Sequence, residues 1–477
     1  MLGSDAFGAP TGNITVMVTS DVTLRADREG GGGFAQIGNG GAGSILDNSG
    51  NIFVSAGGTI ALSAGSANAY AQIGNGGSTL NVNSFGTSTG SDMGDISIIA
   101  ASIVLSGGSA SFSSGAYAQI GNGGAYLNYG AGGGTPLGAL TLSGNISIQA
   151  NAVTLQGGGG SAAYAQIGNG GFEADANTTT SGGITIDGNI AITPYNASGT
   201  VSLAGGSGQF AYAQIGNGGA QSLDNSIAPG AFATTGSISI DTNAGGTIAL
   251  SGGSNGGAGG AYAQVGQGGY RTADGASAGG GISIGGDIGV SMSGPGSSLS
   301  LYGPDHFDYA MIGNGDATRV LDPVTGTVTI GDPATTTLTS SSDGSAWLGN
   351  EMSTVANSGD LDLLTDTLTE TTGIYPPLEA SINNVLATSN VSVAVDAGSL
   401  TISAPLSSTG SLPTGNLSLF ASGALSTPQD VIHQGDFGLF VQPGIATGGD
   451  VKLIGGTVTL NGTVSGADVV VGGAGNT

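Results

Sequence analysis

The stretch YAQIGNGG, from Tyr117 to Gly124, decides the fold because the chain repeats it. Related copies begin at Phe34, Tyr70, Tyr164, Tyr212, Tyr262 and Tyr309, and a degenerate eighth copy, SAWLGN, begins at Ser345. The first two copies start 36 residues apart, the next five follow at intervals of 47 to 50 residues, and the eighth starts 36 residues after the seventh. Such spacings are typical of repeat proteins rather than of ordinary globular domains. The sequence therefore predicts an array of repeats of about 47 residues.

Each repeat contains three short segments with the pattern of a β-strand. Ile146, Ile148, Val153 and Leu155 alternate with polar neighbours, as in strands that bury one face. Helices are not expected, because the 477 residues include 97 glycines and no sustained apolar spacing of three and four. A three-strand unit must stack on its neighbours to bury its apolar face. We therefore predict an all-β protein, and more specifically a right-handed parallel β-helix.

Strand alternation places neighbouring residues of each AQIG segment on opposite faces. Ala71 and Ile73 are expected to point inward and to stack on Ala118 and Ile120. The tyrosines and glutamines then point outward and form a candidate binding surface: Tyr70, Gln72, Tyr117, Gln119, Tyr164, Gln166, Tyr212, Gln214, Tyr262 and Gln264. Stacked aromatic rings of this kind are suited to sugar rings or a partner strand. The alternative is that the segments after each repeat cover this ladder, which is then a secondary core.

The polar residue of each GNG turn is predicted to lie at a corner that needs positive φ, and to form an amide ladder. The members of this ladder are Asn39, Asn75, Asn122, Asn169, Asn217, Gln267 and Asn314. The segments that follow, such as 78–93 and 172–183, vary in length. We expect them to leave the array on one side, where repeat proteins usually bind partners, or to be solvated spacers.

Three regions are expected along the chain. Residues 1–350 form the repetitive β-helix, and residues 351–386 form an irregular rung or junction. Residues 387–477 form further coils, because strand patterns such as NVSVAVD continue there. The first residues, MLGSDAFGAP, lack a basic region followed by an apolar core, so we see no secretory signal and expect a segment of a larger protein.

The composition argues against several kinds of function. The chain has 31 acidic and 5 basic residues and a net charge of −26, whereas nucleic-acid binding needs clustered Lys and Arg. It has no cysteine, which excludes disulfides, thiolate zinc sites and cysteine nucleophiles. No stretch reaches the roughly 18 apolar residues of a membrane-spanning helix. We expect no cofactor, no metal and no membrane insertion.

The main alternative is a polysaccharide-processing enzyme, because glycoside hydrolysis uses a pair of carboxylates and the chain has acidic residues. The densest cluster, Asp305, His306 and Asp308, has the groups to bind a metal or transfer a proton. The simpler interpretation is a turn whose aspartates cap backbone amides. Four other acidic residues are expected to be solvated loop carboxylates or weak calcium ligands: Glu173, Asp175, Asp360 and Asp362. We predict no catalytic residue.

The glycine-rich segments GNISI and TVTLNG, the aromatic-AQIGNGG repeat, the few basic residues and the lack of cysteine resemble filamentous haemagglutinin-type exoproteins and autotransporter adhesin passengers. The resemblance covers essentially the whole chain, although the family's Asn-Pro-Asn secretion motifs have no match. It implies a secreted or surface adhesin of a Gram-negative bacterium, exported through an outer-membrane transporter. It also implies host or bacterial surface glycans or matrix proteins as partners. A passive stalk or matrix filament is the third possibility.

Overall fold

The computed structural model describes most of the first 371 residues and shorter segments beyond them. The described ranges are 11–26, 33–42, 47–65, 68–78, 91–108, 115–130, 136–196, 198–254, 259–304, 307–316, 324–341, 345–350, 360–371, 377–386, 389–395, 400–401, 406–407, 417–421, 425–427, 431–434, 437–447, 451–455, 458–465 and 469–473. Every pairing between their named strands is parallel, which confirms the all-β prediction. One helix accompanies the strands in these ranges.

The largest sheet, here called the major sheet, contains 22 of the described strands. Their inward residues are Ile, Val and Leu at alternate positions, as in Ile52, Val54 and Ala56, which are at most 5% exposed. The strands are Ile14–Val18, Val22–Ala26, Ile52–Ala56, Thr59–Ala64, Ile96–Ser106, Ile146–Gln156, Ile190–Thr193, Thr200–Ala204, Ile238–Ala244, Thr247–Ser251, Ile288–Ser293, Ser298–Gly303, Val328–Gly331, Thr335–Ser340, Leu361–Thr365, Thr367–Thr371, Val391–Val395, Leu400–Thr401, Leu417–Ala421, Leu425–Thr427, Phe437–Thr447 and Val458–Ser465.

The second sheet, here called the Tyr–Gln sheet, contains eight strands, one from each copy of the repeated phrase. They are Phe34–Ile37, Tyr70–Ile73, Ala118–Ile120, Ala165–Ile167, Ala213–Ile215, Ala263–Val265, Ala310–Ile312 and Ala346–Leu348. Ala71 pairs in register with Ala118, and Ile73 with Ile120. All four belong to the main apolar cluster, as predicted. The degenerate copy at Ser345 is also a member, because Ala346 pairs with Ala310.

The third sheet contains seven strands. They are Asn48–Ser49, Asp92–Met93, Leu140–Ser143, Ile184–Asp187, Phe232–Thr235, Ile282–Gly285 and Val324–Thr325. Two smaller sheets complete the described strands: Ile227–Ala228 with Ser277–Ala278, and Leu406–Ser407, Val431–Gln434, Val451–Gly455 and Val469–Gly473. The third sheet has its own apolar cluster, which includes Leu142, Ile186 and Phe232.

The helix, Pro377–Leu386, lies in the region predicted to be a junction. Its apolar residues Leu378, Ile382 and Val385 are buried in the same cluster as the major sheet. Ser381 Oγ accepts a hydrogen bond from the Leu348 N–H (3.0 Å) in the last strand of the Tyr–Gln sheet. The helix therefore covers the end of that sheet, which protects an edge that would otherwise be open to pairing.

The major sheet continues past residue 350. Leu361 pairs with Val328 on one side and with Val391 on the other. Further parallel pairs, such as Leu417 with Phe437, lie within the region 387–477. The change in sequence after the last AQIG copy therefore does not interrupt this sheet.

Candidate functional site

The aromatic residues of the repeats form one continuous stack. Neighbouring rings from Phe34 to Tyr309 are 4.8 to 5.2 Å apart between centroids, with interplanar angles of 1 to 9°. This spacing matches the distance between neighbouring strands of a sheet. The register of the Tyr–Gln sheet therefore sets the stacking.

The prediction of an exposed Tyr and Gln surface is wrong. Residues Tyr117, Tyr164, Tyr212 and Tyr262 are 0% exposed and Tyr70 is 1% exposed. The glutamines Gln72, Gln119, Gln166, Gln214 and Gln264 are also 0% exposed. The tyrosines are not part of the main cluster, as strand alternation requires, but belong to a second buried cluster, and the glutamines on the same face are buried with them. The alternative prediction, in which the tyrosines and glutamines form a secondary core, agrees with this burial.

The segments that follow the GNGG turns cover the stack. Ala125, Phe172 and Ala220 follow such turns and are buried in the cluster of the tyrosines, and Tyr126 and Tyr270 pack against it. Phe210, which comes just before the next copy of the phrase, packs against it as well. The segment 172–183 is therefore not a solvated spacer at its start. Residues 79–90 of the other predicted excursion lie outside the described residues.

These covering segments have an unusual backbone in which alternate residues take positive φ. Glu173, Asp175 and Asn177 have φ of 50, 56 and 52°. The Glu173 N–H donates to the Ala220 carbonyl in the next repeat (3.0 Å), and the Asp175 N–H donates to the Leu127 carbonyl in the previous one (2.7 Å). Non-glycine residues pay about 1 to 2 kcal/mol each for this conformation. Bonds to both neighbouring repeats compensate for that cost.

Each buried glutamine is held by the next repeat. Gln166 Nε2 donates to the carbonyl oxygens of Gly216 (3.0 Å) and Gly218 (2.9 Å). Its Oε1 accepts a hydrogen bond from the Tyr212 hydroxyl (3.0 Å). Burial of an amide is costly unless its hydrogen bonds are satisfied. The glutamine column is therefore a fully bonded internal ladder in this part of the sheet, and ligands have no access to it.

The asparagine column is a hydrogen-bonded ladder, as predicted. Asn169 Oδ1 accepts the N–H of Asn122 (2.8 Å), and Asn169 Nδ2 donates to the carbonyls of Gly144 (2.9 Å) and Asp187 (2.7 Å). Along the whole column, each side-chain oxygen accepts a hydrogen bond from the backbone N–H of the preceding member. The members are Asn39, Asn75, Asn122, Asn169, Asn217, Gln267, Asn314 and Asn350.

The predicted positive φ at these asparagines is wrong. The glycine that follows takes it instead, with φ of 92° at Gly76 and 94° at Gly123. The asparagine keeps an ordinary backbone because its task is to join the turn to two other strands through its side chain. Glycine is the residue that adopts positive φ without steric cost.

Asp92 and Asp175 are two of the carboxyl groups that are buried in the described part of the molecule. Asp92 is 1% exposed, and burial raises its pKa to about 8, with further contributions from Asp175 and Asp47. Its Oδ1 accepts a hydrogen bond from Asn48 Nδ2 (2.5 Å). Asp175 is 0% exposed, and burial raises its pKa to about 7. The expectation that Asp175 is a solvated loop carboxylate is therefore wrong.

The other predicted acidic residues are more ordinary. Glu173 is partly buried, and burial followed by the charge of Asp224 raises its pKa to about 7. Asp360 is partly buried and accepts the N–H of Asn390 (2.9 Å), whereas Asp362 is exposed. Asp308 is buried and caps the N–H of Ala261 (3.0 Å), as the turn interpretation predicts. Asp305 and His306 lie outside the described residues. Among the residues that are described, no three acidic or histidine side chains form a metal-binding group.

One groove of about 500 Å³ lies on the outward face of the major sheet. Gln156 lies at one end of the groove and Tyr302 at the other. Two strands lie between them, and the residues of these strands that are in register with Gln156 and Tyr302 are Ala204 and Ser251. Tyr302 is 42% exposed. We call this feature the Tyr302 trough. Sequence analysis missed it because it depends on short side chains in two neighbouring repeats, not on a motif.

Comparison with protein-family models, curated proteins and solved structures finds no match for this chain. In the parts of the chain that the structure describes, no helix has the length and apolar character needed to span a membrane. Function is therefore argued from the geometry of the molecule alone.

Proposed function

We propose that the chain is a segment of a right-handed parallel β-helix, with the three main sheets as the walls of a solenoid. The observation that carries this proposal is the shared register of the sheets: residues one repeat apart pair in the major, Tyr–Gln and third sheets alike. Right-handed crossovers are the rule between parallel strands. The strands of the major sheet from Ile14 to Val458 would then extend the solenoid for about 60 Å at ordinary strand spacing.

Deletion of one repeat tests the solenoid. Removal of residues 165–212 joins Tyr164 to Ala213 and preserves the register, since Ala165 pairs with Ala213. A solenoid should tolerate this change because each repeat contacts only its neighbours. Removal of residues 165–188, about half a repeat, is the matched control and should unfold the protein. Equal disruption by both deletions, measured by circular dichroism and limited proteolysis, would contradict a solenoid.

The proposed biological role is adhesion by a secreted or surface-exposed protein of a Gram-negative bacterium. A regular array with a strongly acidic composition supports a stiff, soluble scaffold that presents its outer face to partners. The partners we propose are cell-surface glycans or matrix proteins, and export would use an outer-membrane transporter. The role proposed is non-enzymatic.

Binding of the purified protein to cells, matrix proteins and a glycan panel tests this role. Saturable binding that survives in the presence of competing unrelated protein is the expected result. A correctly folded protein that binds none of these surfaces would overturn the adhesin proposal and favour a passive stalk. Release of reducing sugars or unsaturated products from a polysaccharide would instead favour an enzyme.

A further inference from the structure

Three outward side chains in one column of the major sheet line the Tyr302 trough: Gln156, Ser251 and Tyr302. Gln156, Ala204, Ser251 and Tyr302 are consecutive in register and all lie on the outward side, opposite the buried Leu155, Leu203, Leu250 and Leu301. Ala204 and Ser251 are short, whereas the residues on both sides of them are long. Three strand spacings separate Gln156 from Tyr302, so the trough is about 15 Å long.

Pairs of glycines deepen the trough on one side. Gly157 and Gly158 follow Gln156, and Gly205 and Gly206 follow Ala204. A Cβ on Gly158 would lie 2.0 Å from the carbonyl oxygen of Gly108, and one on Gly206 would lie 1.9 Å from that of Gly158. Close approach of neighbouring repeats therefore requires glycine here. The consequence is a wall of backbone without side chains.

The chemistry of the lining is uncharged and polar. It consists of the Gln156 amide, the Tyr302 ring, Pro304, glycine backbone and the hydroxyl groups of Ser207, Ser251 and Ser254. Ser207 and Ser254 are exposed at the rim. A pyranose ring presents one apolar face of C–H bonds and a circumference of hydroxyl groups. The exposed aromatic ring matches the apolar face. Gln156 Nε2 and Ser251 Oγ already donate to the carbonyls of Gly157, Gly205 and Gly252, so their side-chain oxygens are placed to accept hydrogen bonds from sugar hydroxyl groups.

Charge decides between neutral and anionic glycans. The lining has no basic side chain among its described residues, and the chain as a whole carries a net charge of −26. Such a field repels polyanions. We infer that the Tyr302 trough binds a short stretch of an uncharged polysaccharide, lying along the stacking direction of the repeats with one sugar ring on Tyr302. This inference rests on the proposed adhesin function and names its ligand class.

Calorimetric titration of the full chain tests the inference. The probes are cellohexaose, maltohexaose and mannohexaose as neutral glycans and a hexamer of polygalacturonate as the anionic one. We expect at least one neutral hexasaccharide to bind and the anionic hexamer not to bind. Tyr302→Ala should weaken the binding at least tenfold, and Ser251→Gln, which fills the floor, should weaken it similarly.

Tyr195→Ala is the matched control, because Tyr195 is a tyrosine with 51% exposure that does not line the trough. It should leave binding unchanged. The inference is overturned if no neutral probe binds, if polygalacturonate binds equally well, or if Tyr302→Ala binds as wild type does. If neutral probes fail while the protein still adheres to cells, only the trough assignment is lost. Failure of both assays rejects the adhesin function as well.

Discussion

The tyrosines towards the two ends of the Tyr–Gln sheet make different hydrogen bonds. The hydroxyl groups of Tyr164, Tyr212, Tyr262 and Tyr309 each donate to the glutamine one repeat earlier, at 2.9 to 3.3 Å. The hydroxyl groups of Tyr70 and Tyr117 are buried and donate to no acceptor among the described residues. The Oε1 atoms of Gln36 and Gln72, one repeat earlier, are likewise buried and accept no hydrogen bond there.

Ring stacking is nevertheless the same at both ends. The Tyr70–Tyr117 pair, without the hydroxyl bond, has a centroid distance of 4.9 Å and an angle of 2°. The Tyr212–Tyr262 pair, with the bond, has identical values. The glutamine Nε2 bonds to glycine carbonyls are also present at both ends. Strand register and burial therefore hold the column in place, and the hydroxyl bond is a separate, smaller contribution.

The largest effect is expected from the asparagine column, which is common to both ends. Asn169→Ala would remove the side-chain partner of one buried backbone N–H and of two partly buried backbone carbonyls. At about 1 kcal/mol or more for each group, the free energy of unfolding should fall by about 3 kcal/mol. Asn75→Ala should cost slightly less, because the Met93 carbonyl also accepts the Gly50 N–H (3.1 Å), although the Asn75 side chain makes the same three bonds.

Urea unfolding followed by circular dichroism measures both losses. The control is Asn169→Gln, because Gln267 already occupies this column and bonds to the Asn217 N–H and the Gly236 carbonyl. It should cost clearly less than alanine. A loss below about 1 kcal/mol for either alanine variant would mean that water replaces the side chain, and that the ladder is not a main source of stability.

The next largest effect is a dependence of stability on pH, and its source lies near the N-terminal end of the Tyr–Gln sheet. Asp92 lies there, and its charge adds to burial in raising the pKa of Tyr70. The pKa of Asp92 is about 8 in the folded protein, above the ordinary value near 4. The folded state therefore binds more protons than the unfolded state between these values. The contribution of Asp92 to stability should be complete below about pH 4 and be lost as pH rises towards and through 8.

Asp92→Asn should flatten this dependence and stabilise the protein at pH 8, since each pKa unit corresponds to about 1.4 kcal/mol. Asn48 occupies the matching position one repeat earlier, so the column accepts this residue. In this variant a weaker dependence of stability on pH should remain, because Asp175 and Glu173 have pKa values of about 7. Asp95→Asn is the control at an exposed carboxylate. Equal melting temperatures of wild type at pH 5 and pH 8 would contradict a buried, neutral Asp92.

Most of the sheet architecture was predictable because it follows from local alternation repeated at a fixed spacing. Ala71 and Ile73 had to face inward once the strand was recognised, and their copies had to stack. The asparagine ladder followed for the same reason. Whether the face with the tyrosines and glutamines is exposed to solvent or buried depends on the covering segments, whose lengths differ from repeat to repeat. The signal was present in the aromatic residues Tyr126, Phe172 and Tyr270, which come shortly after the GNGG or GQGG turns.

Two features were not predictable from these patterns. Alternate positive φ at Glu173, Asp175 and Asn177 arises from bonds to neighbouring repeats, and only the enrichment of Asn and Asp in this conformation hints at it. The helix Pro377–Leu386 carries helical spacing in Leu378, Ile382 and Val385, but a single short segment gives a weak signal beside many strands.

The smallest effect separates the two ends of the Tyr–Gln sheet directly. Tyr212→Phe removes the donor to Gln166 Oε1 and leaves that buried oxygen unpaired, so it should destabilise the protein by about 1 kcal/mol. Tyr70→Phe removes a buried hydroxyl that donates to no glutamine, so it should cost less than Tyr212→Phe; the backbone contact to the hydroxyl, from Ser78 in one case and from Ala220 in the other, is lost in both. Phe34 begins the stack without a hydroxyl, and no described repeat precedes it to offer a glutamine. Both variants keep the ring, and therefore the stacking, which makes each the control for the other. If their urea midpoints shift equally, the hydroxyl bonds do not distinguish the two ends, and the difference in their geometry has no energetic consequence.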